Sequence, residues 1–284
     1  MKKIRLSAFA DEASPLISGQ IRAMRRNGID LLEIRGVDNE NISKISVEKA
    51  REVRRLLDDS GMSVWSMGSP IGKVDLDGNF DEHLDKFKRI LEYADILGAT
   101  RIRLFSFFPT AGEEWERSLD KVLIRLNAFS ELTHDGIILC HENEKKIFGE
   151  DTRSCVAIHK ALPKIKAVFD PANFIQCGVN TLEAWSALRE YVDYVHIKDA
   201  LADGTVVPAG EGLGNIKEIL TDYVSIGGSV MTLEPHLKVF SGLSELENGE
   251  SVKTGVTVYR SNDEAFDAAC SALKNILTDI GGRS

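Results

Sequence analysis

The chain has 284 residues, 43% hydrophobic and 28% charged, the balance of a globular protein with material for one large core or two ordinary ones. Its formal net charge of −9 argues against a nucleic-acid partner, which ordinarily needs a basic face. The apolar run near the start is too short for a signal segment or a membrane span. Cys140, Cys155, Cys177 and Cys270 are widely spaced without a CxxC pair, so a reducing, cytoplasmic setting and no membrane association are expected.

In chain order, residues 3–8 read as a first strand. A helix near 15–27 stops at Gly28 and is followed by an apolar run over 31–34. A second near 46–60 stops at Gly61, before a β-rich run over 63–67. The clearest unit spans 80–107. Leu84, Phe87, Ile90, Leu91, Ala94 and Leu97 fall at helical spacing, Gly98 sits where a terminating glycine belongs, and residues 101–105 form a strand-like run. A helix near 113–135 ends at Gly136 before a strand that leads into Cys140-His141-Glu142. Helices near 152–162, 181–190 and 216–225 precede runs ending in Asp170, His196 and Glu234. A last helix covers about 263–279.

Eight strands alternating with eight helices predict an α/β fold, because a helical crossover returns the chain to pair in parallel. The expected architecture is a (β/α)8 TIM barrel of one domain over 1–284. A doubly wound open sheet is the rival, disfavoured because no glycine-rich nucleotide fingerprint follows the first strand. The stretch 237–262 after the last strand is rich in Ser, Gly and charge and reads as a long loop, a lid or interface element, or a solvated excursion.

In a parallel barrel all strand C-termini share one rim. Strands five to eight end in Glu142, Asp170, His196 and Glu234. Three oxygens and one nitrogen, with no thiolate, suit one divalent ion such as Mn, Mg, Co or Zn. Taken singly, each is a charge at a strand end; their recurrence at one structural position favours a metal site.

The stretches 140–144 (CHENE), 169–174 (FDPANF), 196–200 (HIKDA), 208–214 (PAGEGLG) and 233–236 (LEPH) carry a resemblance. Together they resemble the sugar-phosphate isomerase/epimerase family with a xylose-isomerase-like barrel, in order and over nearly the whole chain. The resemblance implies metal ligation by Glu142, Asp170, His196 and Glu234 and a small-molecule sugar or sugar-phosphate substrate. The chain departs from ketohexose 3-epimerases at two positions. Asn173 stands where they carry a substrate-binding histidine and Ala202 where they carry an arginine, which argues against a free ketohexose.

The expected activity is metal-dependent isomerisation or epimerisation of an α-hydroxy carbonyl through an enediolate, with Glu142 and Glu234 as the acid/base pair. Alternatives are an inosose-type dehydratase using the same ion, a phosphodiesterase like the apurinic-site endonuclease, and a non-catalytic sugar-binding barrel. Lys198, two residues beyond His196, is expected on the same face as a phosphate or oxyanion contact, or in solvent. Asn173 and Glu33 are candidate substrate contacts. His141, next to Glu142, points away from the metal by strand alternation, as a packing residue first and a substrate contact second. A phosphate among Gly210, Gly212 and Gly214 at the helix near 216 competes with a simple turn role for those glycines. His83, His134 and His159 fall in helices and read as structural. Trp65 and Phe107 wall the pocket or pack the core. A homo-oligomer is compatible with the sequence.

Overall fold

The repeated helix–glycine–strand unit closes on itself. The computed structural model describes residues 4–243, 253–255 and 257–281. Its barrel strands are β1 (Arg5–Ala8), β2 (Leu31–Ile34), β3 (Ser63–Gly68), β4 (Arg101–Leu104), β5 (Ile138–Glu142), β6 (Lys166–Phe169), β7 (Val192–Ile197) and β8 (Val230–Leu233). Each pairs in parallel with its sequence neighbours, and β1 pairs with both β2 and β8. That closure excludes the open sheet.

The helices are α1 (Ile17–Arg26), α2 (Val47–Asp59), α3 (Phe80–Leu97), α4 (Trp115–Leu132), α5 (Thr152–Ala161), α6 (Pro171–Gln176), α7 (Thr181–Leu188), α8 (Ile216–Ser225) and α9 (Asn262–Asp279). Several of their starts carry side-chain caps that the sequence dictates. Ser46 accepts from the Lys49 amide, Asn79 from Glu82 and Asp151 from Ser154. Gly98 ends α3 at φ 72°, a left-handed conformation in which a Cβ would be strained. The one-turn-and-a-half helix α6, directly after β6, was not evident from periodicity. Nor were two short antiparallel ribbons, Gly36–Val37 with Glu40–Asn41 and Asp199–Ala200 with Val206–Val207.

Two apolar layers build the core. The larger lies between the strands' outer faces and the helices; Phe107 belongs there, packed with Phe80, Phe129 and His83. The smaller fills the barrel: Leu31, Cys140, Val168, Tyr194 and Val230, with Trp65 against it. Trp65 thus packs the barrel floor, under Arg101 and beside Tyr194, and not the mouth as one reading had it. Side chains alternate along a strand, so residues two further on rise above that floor on the same inner face. They are Glu33, Glu142, Asp170, His196 and Thr232, all buried. The barrel interior therefore changes from apolar to charged within one layer. Of the stretch 237–262, residues 244–252 and 256 lie outside the described residues, and the lid or interface reading falls largely on them.

Candidate active site

Glu142 ends β5 and Asp170 follows β6. His196 lies near the end of β7, and Glu234 follows β8. One ligand atom from each falls within 4.8 Å of the other three, and all four residues are buried. The HIKDA and LEPH strands are adjacent, with Thr232 paired to His196, so Glu234 emerges beside the imidazole.

The local sequence explains each orientation. Asp170 is the N-cap of α6. Its Oδ1 accepts from the Asn173 amide at 2.9 Å, and Pro171 occupies the first turn, where a missing N–H costs nothing. That leaves Oδ2 facing the cluster, 2.9 Å from Lys198 Nζ but without hydrogen-bond alignment. Asn143 braces the same strand end: its Nδ2 donates to the Asp170 carbonyl and its Oδ1 accepts from the Asp170 amide.

His196 Nδ1 lies 2.8 Å from Glu142 Oε1 and 3.3 Å from Glu234 Oε2. Its Nε2 donates to Glu33 Oε2 at 3.1 Å, and Glu33 Oε1 accepts from the Tyr194 hydroxyl at 2.8 Å and from Ser66. Glu33 is fully buried beneath the imidazole. Both its oxygens are taken by His196, Tyr194 and Ser66, so no free acceptor is left for the substrate contact that the sequence suggested.

Two arginines that sequence reasoning missed stand behind the two glutamates. Arg35, just after β2, places Nη1 2.9 Å from Glu234 Oε1. It also grips Asp11 through Nε and Nη2 and reaches Glu12 at 3.2 Å. Arg103, inside β4, places Nε 3.2 Å from Glu142 Oε2. Both are buried, and both lie against Phe9, whose ring edge also meets His196. A charged residue within the apolar run over 101–105 was the available signal for Arg103. For Arg35 the signal was its place directly after the apolar run over 31–34.

Lys198 is 5% exposed and lies inside the cluster, 3.2 Å from Glu234 Oε2 as well as beside Asp170. A solvent-facing role for it is ruled out. Asn173 places Nδ2 2.9 Å from the Asn143 carbonyl and 3.5 Å from Glu142 Oε1, while its buried Oδ1 has no partner. His141 faces outward onto His159 of α5 and the backbone of Gly149, so its alternative use as a substrate contact is withdrawn. His236, also missed, points Nε2 to within 3.5 Å of Glu12 and Glu234 without a hydrogen bond, and its amide donates to Glu12 at 2.7 Å.

The glycines of 208–214 do not cradle a phosphate. Asp199 accepts from the amides of Gly210, Gly212 and Gly214, so a carboxylate of the chain itself fills that nest.

The charges of the cluster are strongly coupled. Burial opposes the charge on His196, but Glu142 and Glu33 outweigh it and raise its pKa well above the ordinary histidine value. Burial likewise opposes charge on Lys198, and Asp170 and Glu234 outweigh it to hold the ammonium form. Asp170 is pushed up to about 7 by burial, against the pull of Lys198. Glu12 is pushed up to about 8 by burial, against Arg35.

The donor set fits a divalent cation. It offers three carboxylates and one imidazole nitrogen, an aspartate oxygen buried without hydrogen-bond alignment, and a histidine whose other nitrogen is tied to a carboxylate, as in metal-binding histidines generally. Two cavities adjoin it at the mouth. One of about 210 Å³ is lined by Arg35, Asp11 and Phe240, and one of about 150 Å³ by Arg103 and Phe105; Asn41 and Lys44 line both. A larger space of about 510 Å³ opens at the opposite end, beside Trp65 and Arg101, away from this chemistry.

A family model described as xylose isomerase-like TIM barrel matches residues 21–259. No curated protein matches the chain by sequence. Among solved structures, an IolI protein with a bound zinc atom superposes with a TM-score of 0.75 at 14% identity, covering 98% of this chain and 99% of that one. A D-psicose 3-epimerase solved in the presence of D-fructose gives 0.72 at 16%, covering 98% and 100%. A probable 3-DHS dehydratase, AsbF from Bacillus anthracis, gives 0.73 at 15%, covering 96% and 99%. At these identities the likeness is one of fold.

Proposed function

Because the chain belongs to the xylose isomerase-like TIM barrel family, we propose that it is a divalent-metal-dependent isomerase or epimerase acting on a sugar, a sugar phosphate or a related α-hydroxy carbonyl. The observation that carries this reading is the convergence of Glu142, Asp170, His196 and Glu234, with Nδ1 of His196 turned inward and its Nε2 anchored on Glu33. When bound, the ion (Mn, Mg, Co or Zn) supplies Lewis-acid polarisation of the substrate carbonyl.

The chain's own residues divide the remaining work. Glu142 and Glu234 take and return the proton on the carbon beside the carbonyl, generating an enediolate. Arg103 and Arg35 hold their outer oxygens, so each carboxylate presents its other oxygen to the centre. Lys198 brings an ammonium group to the negative charge that develops on the substrate oxygen. Asn173 offers an unpartnered buried oxygen to a substrate hydroxyl. Phe9 packs in a T-shaped contact against the imidazole, which is fully buried. The four free cysteines suit a reducing cytoplasm, and among the described residues no helix is long and apolar enough to cross a membrane.

One observation favours dehydration as the second reading: the Lys198 ammonium is placed among the carboxylates, where its charge is able to offset that of a departing hydroxide. The test is turnover of candidate α-hydroxy carbonyls in heavy water, with metal content measured alongside. Isomerisation by proton transfer puts deuterium on the reacting carbon and conserves mass otherwise; dehydration loses water. Glu142→Gln and Glu234→Gln should each lower the rate by about 10²–10⁴-fold. A fully metallated, fully active Glu→Gln variant removes that glutamate from the mechanism. A metallated protein with no turnover of any candidate favours a non-catalytic barrel.

A further inference from the structure

We propose that His236 determines specificity: its Nε2 holds a substrate hydroxyl, carried beyond the reacting pair of carbons, in the gap between Glu12 and Glu234. This rests on the reading of the neighbouring cluster as the reacting centre, and it makes the substrate a polyhydroxylated one. Backbone geometry aims the ring. Pro235 disfavours helical backbone at Glu234. His236 then takes φ 47°, in the left-handed region that non-glycine residues seldom enter, and turns its ring back toward the Glu234 carboxylate. Its amide is tied to Glu12 Oε2 at 2.7 Å, and its ring lies tilted against Phe240 with centroids 5.5 Å apart. Strain of this kind persists only where the surroundings fix it, and it collects at sites that act on a ligand.

What the ring presents is a buried nitrogen without a partner. Nε2 lies 3.5 Å from Glu12 Oε1 and 3.5 Å from Glu234 Oε1, aligned for a hydrogen bond with neither. Those two oxygens accept from Arg35, at 3.2 and 2.9 Å, and each keeps a second lone pair. The three atoms border a span that a single hydroxyl oxygen bridges. A hydroxyl serves either tautomer of the ring and either protonation state of Glu12, because it donates as well as accepts. A substrate without that hydroxyl leaves the buried nitrogen unpaired, which is how such a site discriminates. Glu234 turns its other oxygen, Oε2, to His196 at 3.3 Å and Lys198 at 3.2 Å, so His236 stands across that carboxylate from the cluster. A hydroxyl there belongs to a carbon past the one that Glu234 serves. Phe240 and Arg35 also line the cavity of about 210 Å³ at the mouth, which has room for the rest of the molecule.

The experiment follows hydrogen exchange at the hydroxymethyl carbon in heavy water, catalysed by the full-length, metal-loaded protein, for dihydroxyacetone and for hydroxyacetone. The two ketones share the α-hydroxy carbonyl and differ by one hydroxyl on its far side. Exchange is measured for the parent and two variants, with metal content throughout. In His236→Asn the short side chain tolerates a left-handed backbone but does not reach the gap. In His236→Gln the amide nitrogen comes close to the position of Nε2. Expected is a preference for dihydroxyacetone in kcat/KM of about tenfold or more in the parent, lost in His236→Asn and regained in part in His236→Gln, at constant metal content. No preference in the parent, or one that survives in His236→Asn, overturns the proposal and leaves the isomerase reading standing. Metal lost together with the ring makes His236 a support of the ion instead, and overturns it too. Exchange of neither ketone by a metal-loaded parent removes both readings.

Discussion

His196 Nε2 lies 3.1 Å from Glu33 Oε2, so a carboxylate from β2 fixes the tautomer of an imidazole from β7 across the barrel interior. The nitrogen turned to the cluster is then Nδ1, with Glu142 and Glu234 on either side. Glu33→Gln should keep the fold, because the amide still accepts from Tyr194, but it removes the charge that holds the ring. Metal affinity is expected to fall by about 10–100-fold, as for other partners of metal-binding histidines. Titration with a competing chelator reads this; unaltered affinity disconnects Glu33 from the centre.

Proton and metal compete for Nδ1. The ion-free His196 has a pKa raised well above the ordinary value, so it carries a proton at neutral pH that the ion must displace. Metal binding should release protons in weakly buffered solution at pH 7. Affinity should already decline as pH is lowered toward neutrality, above 6.5, and not only in acid. His196→Ala should abolish the histidine part of that release. Proton-free uptake at pH 7 would contradict the assignment of His196 as a ligand.

Gly212 packs its Cα against the carboxylate that organises the loop before α8. A Cβ there would lie 2.3 Å from Asp199 Oδ1 and 2.5 Å from the Ala200 carbonyl. Neither neighbour is a flexible chain end, since Asp199 is held by four backbone amides. Gly212→Ala should destabilise by about 1–3 kcal/mol, the usual cost of forcing atoms into a filled site. Equilibrium unfolding in urea measures it, and a midpoint equal to that of the parent protein would show that the loop adapts freely.

His83 gives an acid-sensitive term that is independent of the cluster. Its Nε2 accepts from the Gly72 amide at 2.8 Å, so the folded protein needs the neutral ring. Burial, with Lys86 and Arg125 adding to it, pushes its pKa down to about 4. The depressed value means that the unfolded chain binds the proton that the folded one refuses. Stability from this group is fully present above about pH 6.5 and is lost as pH falls through about 4, a change of about 3 kcal/mol. His83→Gln should be less stable at pH 7 and lose less on going to pH 4.5, as denaturant titrations at the two pH values would reveal.

The sequence alone determined the barrel, because hydrophobic period and terminating glycines are local properties that report helix and strand directly, and eight alternations leave few ways to pair. It also placed Glu142, Asp170, His196 and Glu234 at strand ends, and a parallel barrel gathers such ends at one rim. Only the tertiary structure decided what surrounds them. Arg35 and Glu234 are 199 residues apart, and His196 and Glu33 163 apart, so no window of sequence holds both members of either pair. The same holds for the burial of Lys198 among carboxylates and for Asp199 in its nest of glycine amides, both of which depend on how a strand end is enclosed by loops from elsewhere. Alternation within a strand told which face Glu33 shares. That its oxygens are taken by His196, Tyr194 and Ser66, and so are not left for a substrate, follows from strands the closed sheet brings to face it.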